Sequence, residues 1–218
     1  PHAIYITGSD VIRSKNVHLS GLTYDGFPDR SVRGANGSAW SLRYTDGLLV
    51  NGAISRYSPV MTLTSLTDAI VSGVVGRECF AGESLAALNL YATSDLAVHL
   101  SKRVKIEADI QMRENGGRVL NFYGDDCSLD LKSHQWKTSA PAGADFQVTG
   151  SRNYARIENT DIAGAVNNGA STVYLRTLSP AVTVPDANVI EFVGDANASS
   201  ALNIESAATN TQVKADWD

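Results

Sequence analysis

Two glutamates, Glu78 and Glu83, stand five residues apart beside Arg77. Two aspartates, Asp25 and Asp29, precede Arg30 and Arg33 in a stretch that runs on to Trp40. These residue types suit work on saccharides. Hydrolysis of a glycosidic bond takes a carboxylate pair, one protonated as the acid and one ionised. Aromatic faces stack on sugar rings, and arginine forks pair with carboxylate or phosphate groups. The candidate catalytic residues are therefore Glu78, Glu83, Asp25 and Asp29. The candidate substrate-binding residues are Arg30, Arg33, Trp40, Arg77 and Trp136, the last within His134-Gln135-Trp136-Lys137. Each cluster also has a purely structural reading. The four carboxylates can be solvated loop residues, and the charged segment Met112 to Arg118 can be a hairpin tip. His134 reads as a surface residue. Asp46, Asp68 and Asp95 share one position in a recurring phrase, which marks them as turn residues bonding nearby backbone amides.

That phrase is the element that must position the clusters. A polar turn pair and a small or polar residue lead into an alternating apolar strand. It occurs as Ser14-Lys15-Asn16-Val17-His18-Leu19, Thr45-Asp46-Gly47-Leu48-Leu49-Val50, Thr67-Asp68-Ala69-Ile70-Val71 and Ser94-Asp95-Leu96-Ala97-Val98. Looser copies begin at Cys127, Arg152 and Ser199. Markers at Val17, Leu48, Ile70, Ala97, Leu129, Tyr154 and Leu202 lie 31, 22, 27, 32, 25 and 48 residues apart. Unequal steps within this range suit a stack of short strands with extra residues thrown out at corners. The excess steps end at Leu48, Ala97 and Leu129. They put the long corners at 25–40, 77–83 and 113–126. Second strands lie between the markers: Ala39 to Tyr44, Val60 to Leu63, Leu88 to Tyr91, Val119 to Phe122 and Phe146 to Val148. Most alternate with period two between Gly, Asn, Asp or Ser. Helical periodicity is confined to Glu83 to Leu90. The fold expected is all-β, a right-handed parallel β-helix (solenoid). The alternative is a β-sandwich, with Asn51-Gly52, Asn115-Gly116 and Asn168-Gly169 as hairpin turns. Residues 1–160 would hold the coils with their excursions, and 161–218 looser terminal coils or a cap.

Composition excludes several classes. The 218 residues are 43% hydrophobic and 19% charged, which suits a folded chain and not a disordered one. No apolar run approaches the roughly 20 residues of a membrane-crossing helix. The net charge of -5 opposes a duplex-binding surface. The one dense basic stretch, Lys102-Arg103-Val104-Lys105, reads as an exposed strand edge. Cys79 and Cys127 are too few for a disulfide scaffold and lack zinc-ligand spacing, so both read as free, buried thiols in a reducing compartment. No metal or other cofactor is expected. The chain opens at Pro1 without Met and reads as a piece of something longer.

The phrase Ser14-Lys15-Asn16-Val17-His18-Leu19-Ser20-Gly21-Leu22 resembles that of the pectate-lyase-like superfamily. Its Gly/Asn/Ser-rich style is most similar to the β-helix part of bacteriophage tailspikes, over residues 9 to 205. The resemblance implies a homotrimer in the virion tail that binds, or binds and depolymerises, bacterial surface polysaccharide such as capsule or lipopolysaccharide. No nucleic acid and no membrane enter as partners. No family catalytic motif carries over: neither the calcium cluster of pectate lyases nor a polygalacturonase-type aspartate pair is present, and Asp125-Asp126 reads as a turn. The alternatives are a non-enzymatic trimeric shaft or adhesin module, and a secreted polysaccharide lyase or epimerase.

Overall fold

In the computed structural model the described residues are 3–9, 11–26, 38–79, 86–91, 101–112, 119–135, 146–159, 166–167, 170–177, 183–184, 189–193, 203–204 and 212–216. They form fifteen strands and, among the described residues, no helix. The first part of the chain gives β1 (Ile4–Ile6), β2 (Ser14–Asp25), β3 (Trp40–Arg56), β4 (Met61–Cys79) and β5 (Leu88–Tyr91). Next come β6 (Ser101–Met112), β7 (Leu120–Asp125), β8 (Ser128–Gln135), β9 (Phe146–Asn159) and β10 (Val166–Asn167). The chain continues with β11 (Ala170–Thr177), β12 (Thr183–Val184), β13 (Val189–Val193), β14 (Asn203–Ile204) and β15 (Gln212–Asp216). The protein is all-β. Every pairing among these strands is parallel, including those of a 13-stranded sheet. The sandwich alternative wanted antiparallel hairpins. Its candidate turn Asn51-Gly52 instead lies inside β3, which runs on past it in parallel register with β4.

Successive rungs stack in two arms. In one arm Trp40 pairs with Met61, Met61 with Leu88, Leu88 with Leu120, and Leu120 with Phe146. These are the five second strands read from the sequence. In the other arm Val17 pairs with Leu48, as the markers require. The later markers slip. Ile70 pairs with Leu49, and Lys105 with Ile70, so the fourth rung of this arm is the basic stretch at 102–105. That stretch is no sheet edge, because β6 lies between β4 and β8. The proposed copy at Ser94 to Val98, with Asp95, lies outside the described residues.

A simple rule sets which side chains face inward. In β3 and the turn after it, the inward, buried positions are 40, 42, 45, 48, 50, 53, 55 and 58. In β4 they are 61, 63, 66, 69, 71, 74, 76 and 79, each 21 residues on. Steps of two are ordinary strand alternation. Every step of three brackets one residue with positive φ: Tyr44, Gly47, Gly52 and Tyr57 in the first set, Ser65, Asp68, Gly73 and Glu78 in the second. One left-handed residue turns the chain and resets the alternation, so each long strand is several short segments joined at corners. Glycine adopts this conformation without steric cost, while other residues need support from their surroundings.

The inward positions stack into ladders. One runs Leu42, Leu63, Leu90, Phe122. Another runs Val50, Val71, Ile106, Leu129, Ala155. All nine are buried. Full burial of such an aliphatic side chain is worth about 1.5–3 kcal/mol, so these columns supply much of the stability. Asn89 and Asn121, which alternate with the inward positions of β5 and β7, are also buried and hydrogen-bonded. Asn121 Nδ2 donates to Asn89 Oδ1 at 3.1 Å, and Asn89 bonds the backbone N–H and C=O of Ala86.

Candidate functional site

Four of the nine sequence-selected residues fall within the described structure, and they do not converge on one catalytic centre. Asp25 ends β2, exposed and in register with Arg56, which in turn faces Arg77. Glu78 follows Arg77, so a whole rung separates the two carboxylates. Trp40 is 1% exposed and packs in the core, which corrects its assignment as a substrate platform: its ring has no face at the surface. Glu83, Asp29, Arg30, Arg33 and Trp136 lie outside the described residues.

Glu78 belongs to a motif that occurs twice. In Gly76-Arg77-Glu78-Cys79 and Gly124-Asp125-Asp126-Cys127 the third residue is a left-handed acid, φ 49° and 54°. Glycine and cysteine both face inward, on either side of that corner, where two full side chains would collide. A Cβ on Gly76 would stand 2.7 Å from the Cys79 sulfur, and one on Gly124 2.8 Å from that of Cys127. Each thiol donates to the carbonyl two residues before it, at 3.8 Å from Cys79 and 3.2 Å from Cys127. Glu78 and Asp126 are thus equivalent corner residues, and the turn reading of Asp126 extends to Glu78. Both cysteines are free and buried. Burial pushes the Cys127 thiol up to about 11.

The aspartates read as backbone-bonding turn residues have arginine partners across the rungs. Asp46 accepts from Arg13 at 2.7 Å and Asp68 from Arg103 at 2.5 Å. The bond from the Arg103 guanidinium holds the Asp68 carboxyl below its ordinary range. Asp68 does sit in a left-handed turn, φ 55°. Arg13 spans three rungs, since its guanidinium also donates to the Ser65 carbonyl at 2.5 Å.

The described chemistry gathers elsewhere, on the outer face where the rung shape changes. Val71 pairs with Ile106 and Val74 with Ala108, so Ser72 and Gly73 of β4 stand opposite the single residue Glu107 of β6. This bulge ends a column of left-handed glycines, Gly21, Gly52 and Gly73, and β6, which turns at Arg103, passes the glycine position without a corner. The step leaves an open groove of about 410 Å³. Gly73, Val74 and Ala108 line it with backbone and Val75 with its outward side chain, while Glu107, Asp109, Asp130, Lys132 and Arg156 supply charge. Arg77, selected from the sequence, holds one of the groove's lining residues. Its guanidinium donates to both Asp109 oxygens, at 2.9 and 3.2 Å. Arg156 pairs with Asp130 at 3.4 Å.

Sequence reasoning passed over these groove residues because they are the outward half of a regular alternation and read as a solvated strand face. One signal could have found them: the glycine column, 31 and 21 residues apart, stops before β6. Among the described residues no cluster of three or more potential metal ligands occurs. No protein-family model, no curated protein and no solved structure matches this chain.

Proposed function

We propose that this chain is a right-handed parallel β-helix of the bacteriophage-tailspike kind and that it binds bacterial surface polysaccharide along its outer face. The observation that carries the reading is the groove at the Gly73–Glu107 step. It offers the outward Val75 side chain and exposed backbone for contact with sugars and charged groups for their substituents, on a scaffold of stacked strands. Support for the winding comes from the uniformly parallel pairing, since a crossover between parallel strands of one sheet is right-handed in about 98% of cases. The homotrimer, the virion tail and the action outside the bacterial cell belong to this same proposal, and binding is its central claim. Glu107 and Asp130, opposite each other on adjacent strands, are the carboxylates to substitute if sugars are released. Incubation with capsule and lipopolysaccharide from a panel of strains tests the proposal. Retention on the polysaccharide of at least one strain is expected, and neither retention nor depolymerisation on any strain overturns it.

A further inference from the structure

Charge in the groove is matched in an unusual way. Lys132 stands in register with Asp109, and Glu107 with Asp130. Lys132 with Asp109 would make an ordinary cross-strand pair, whereas Glu107 opposite Asp130 sets acid against acid. Both aspartates are taken instead by arginines from flanking strands: Asp109 by Arg77 of β4, and Asp130 by Arg156 of β9. Among the described residues the side chains of Glu107 and Lys132 make no hydrogen bond and no ion pair. The groove therefore presents one uncommitted ammonium and one uncommitted carboxylate between two arginine–aspartate pairs. They lie on neighbouring strands, two positions apart along the chain direction, so their backbones are about 8 Å from each other.

We propose that Lys132 is the anion-binding residue of this groove and that the saccharide unit it takes carries a carboxylate, sulfate or phosphate. This rests on the saccharide reading above. The two arginines are neutralised by their aspartates, so Lys132 supplies the positive charge left to a ligand. Lys132 lines the groove as an exposed residue, placed to make a charge-assisted hydrogen bond to an anion. Glu107 repels a second anion and accepts hydrogen bonds from hydroxyls. The pair thus orients a sugar with its acidic substituent toward Lys132 and its hydroxyl edge toward Glu107.

The test applies the intact chain to an array of uronate-bearing, sulfated, phosphorylated and uncharged bacterial oligosaccharides, with acidic peptides as the rival macromolecule. Binding should be confined to anionic glycans and should weaken about tenfold as salt rises from about 50 mM to about 0.5 M. Lys132→Met should weaken it by roughly tenfold or more at unchanged thermal stability, while Lys15→Met, distant from the groove on β2, leaves it intact. Binding to uncharged glycans that Lys132→Met does not disturb overturns the anionic assignment and leaves the saccharide reading standing. Equal capture of acidic peptides, lost in Lys132→Met, overturns the saccharide as the ligand. Binding to nothing on the array overturns both readings.

Discussion

The rungs of β2 to β4 and the rungs of β6 to β9 share one core but present different outer faces. The earlier rungs turn at left-handed glycines and carry exposed apolar residues: Leu49, Ile54 and Ile70 are 38–50% exposed. The later rungs lack that glycine corner, and there charged side chains and two arginine–aspartate pairs border the groove. Inside, the ladders cross the boundary unbroken, for Val71 packs on Ile106 as Val50 packs on Val71. The difference teaches that a single residue, present as Gly73 in β4 and without a counterpart in β6, reshapes the surface and leaves the interior alone.

Three sets of substitutions probe that comparison. The largest effect is expected in the shared core. Leu63→Ala in the glycine-cornered rungs and Ile106→Ala in the later ones should each cost about 3 kcal/mol, read from denaturant midpoints. A cost several-fold smaller on one side would show that the two regions do not share a core.

Next is the Cys127 thiol, a core group of the later rungs. Its folded pKa of about 11 lies above the ordinary value of 9.0, so the folded state holds the proton more tightly. Its contribution is intact at neutral pH and is lost as pH rises from about 9 to about 11, where the unfolded chain ionises first. Two pKa units correspond to about 3 kcal/mol at most. Melting curves at neutral and alkaline pH check it, and Cys127→Ala should flatten that part of the loss. A Cys127→Ala profile that parallels the unsubstituted chain refutes the assignment.

The smallest effect belongs to the corner. Gly52→Ala and Gly73→Ala force alanine into φ 79° and 64°, at a cost of about 1 kcal/mol each. Glu107→Ala, at the site without a corner, should change stability by less than about 0.5 kcal/mol. Equal losses at all three positions would remove the distinction between the two kinds of rung.

Much of the fold was legible before any coordinates. The segments starting at Ala39, Val60, Leu88, Val119 and Phe146 stack as read, because there the apolar alternation is short and uninterrupted. Val17 and Leu48 were also matched correctly. The markers then slip at Ile70 and between Leu129 and Tyr154, while Ala97 and Leu202 lie outside the described residues. Phrase copies were aligned by turn residues such as Asp46 and Asp68, yet Asp68 aligns with Gly47 one residue later. Corners accept Asn, Gly, Asp, Ser, Tyr, Glu or Arg when neighbours hold them, so residue type alone does not fix a corner. Of the candidate site residues, Arg77 adjoins the groove, Trp40 is buried, and Glu78 is a corner acid. Apolar aromatic character is shared by sugar platforms and core residues alike, and no local signal separates the two for Trp40.

The sequence by itself determined that the protein is built from short strands, that its thiols are buried, and which segments form one arm of each rung. Those properties follow from the period of apolar residues, which is local. Tertiary structure alone decided which outward charges meet. Arg77 reaches Asp109 across 32 residues and Arg156 reaches Asp130 across 26, distances set by how many residues each connection holds. A ligand meets the stacked face of several rungs at once, so the groove exists only after those lengths have fixed the register.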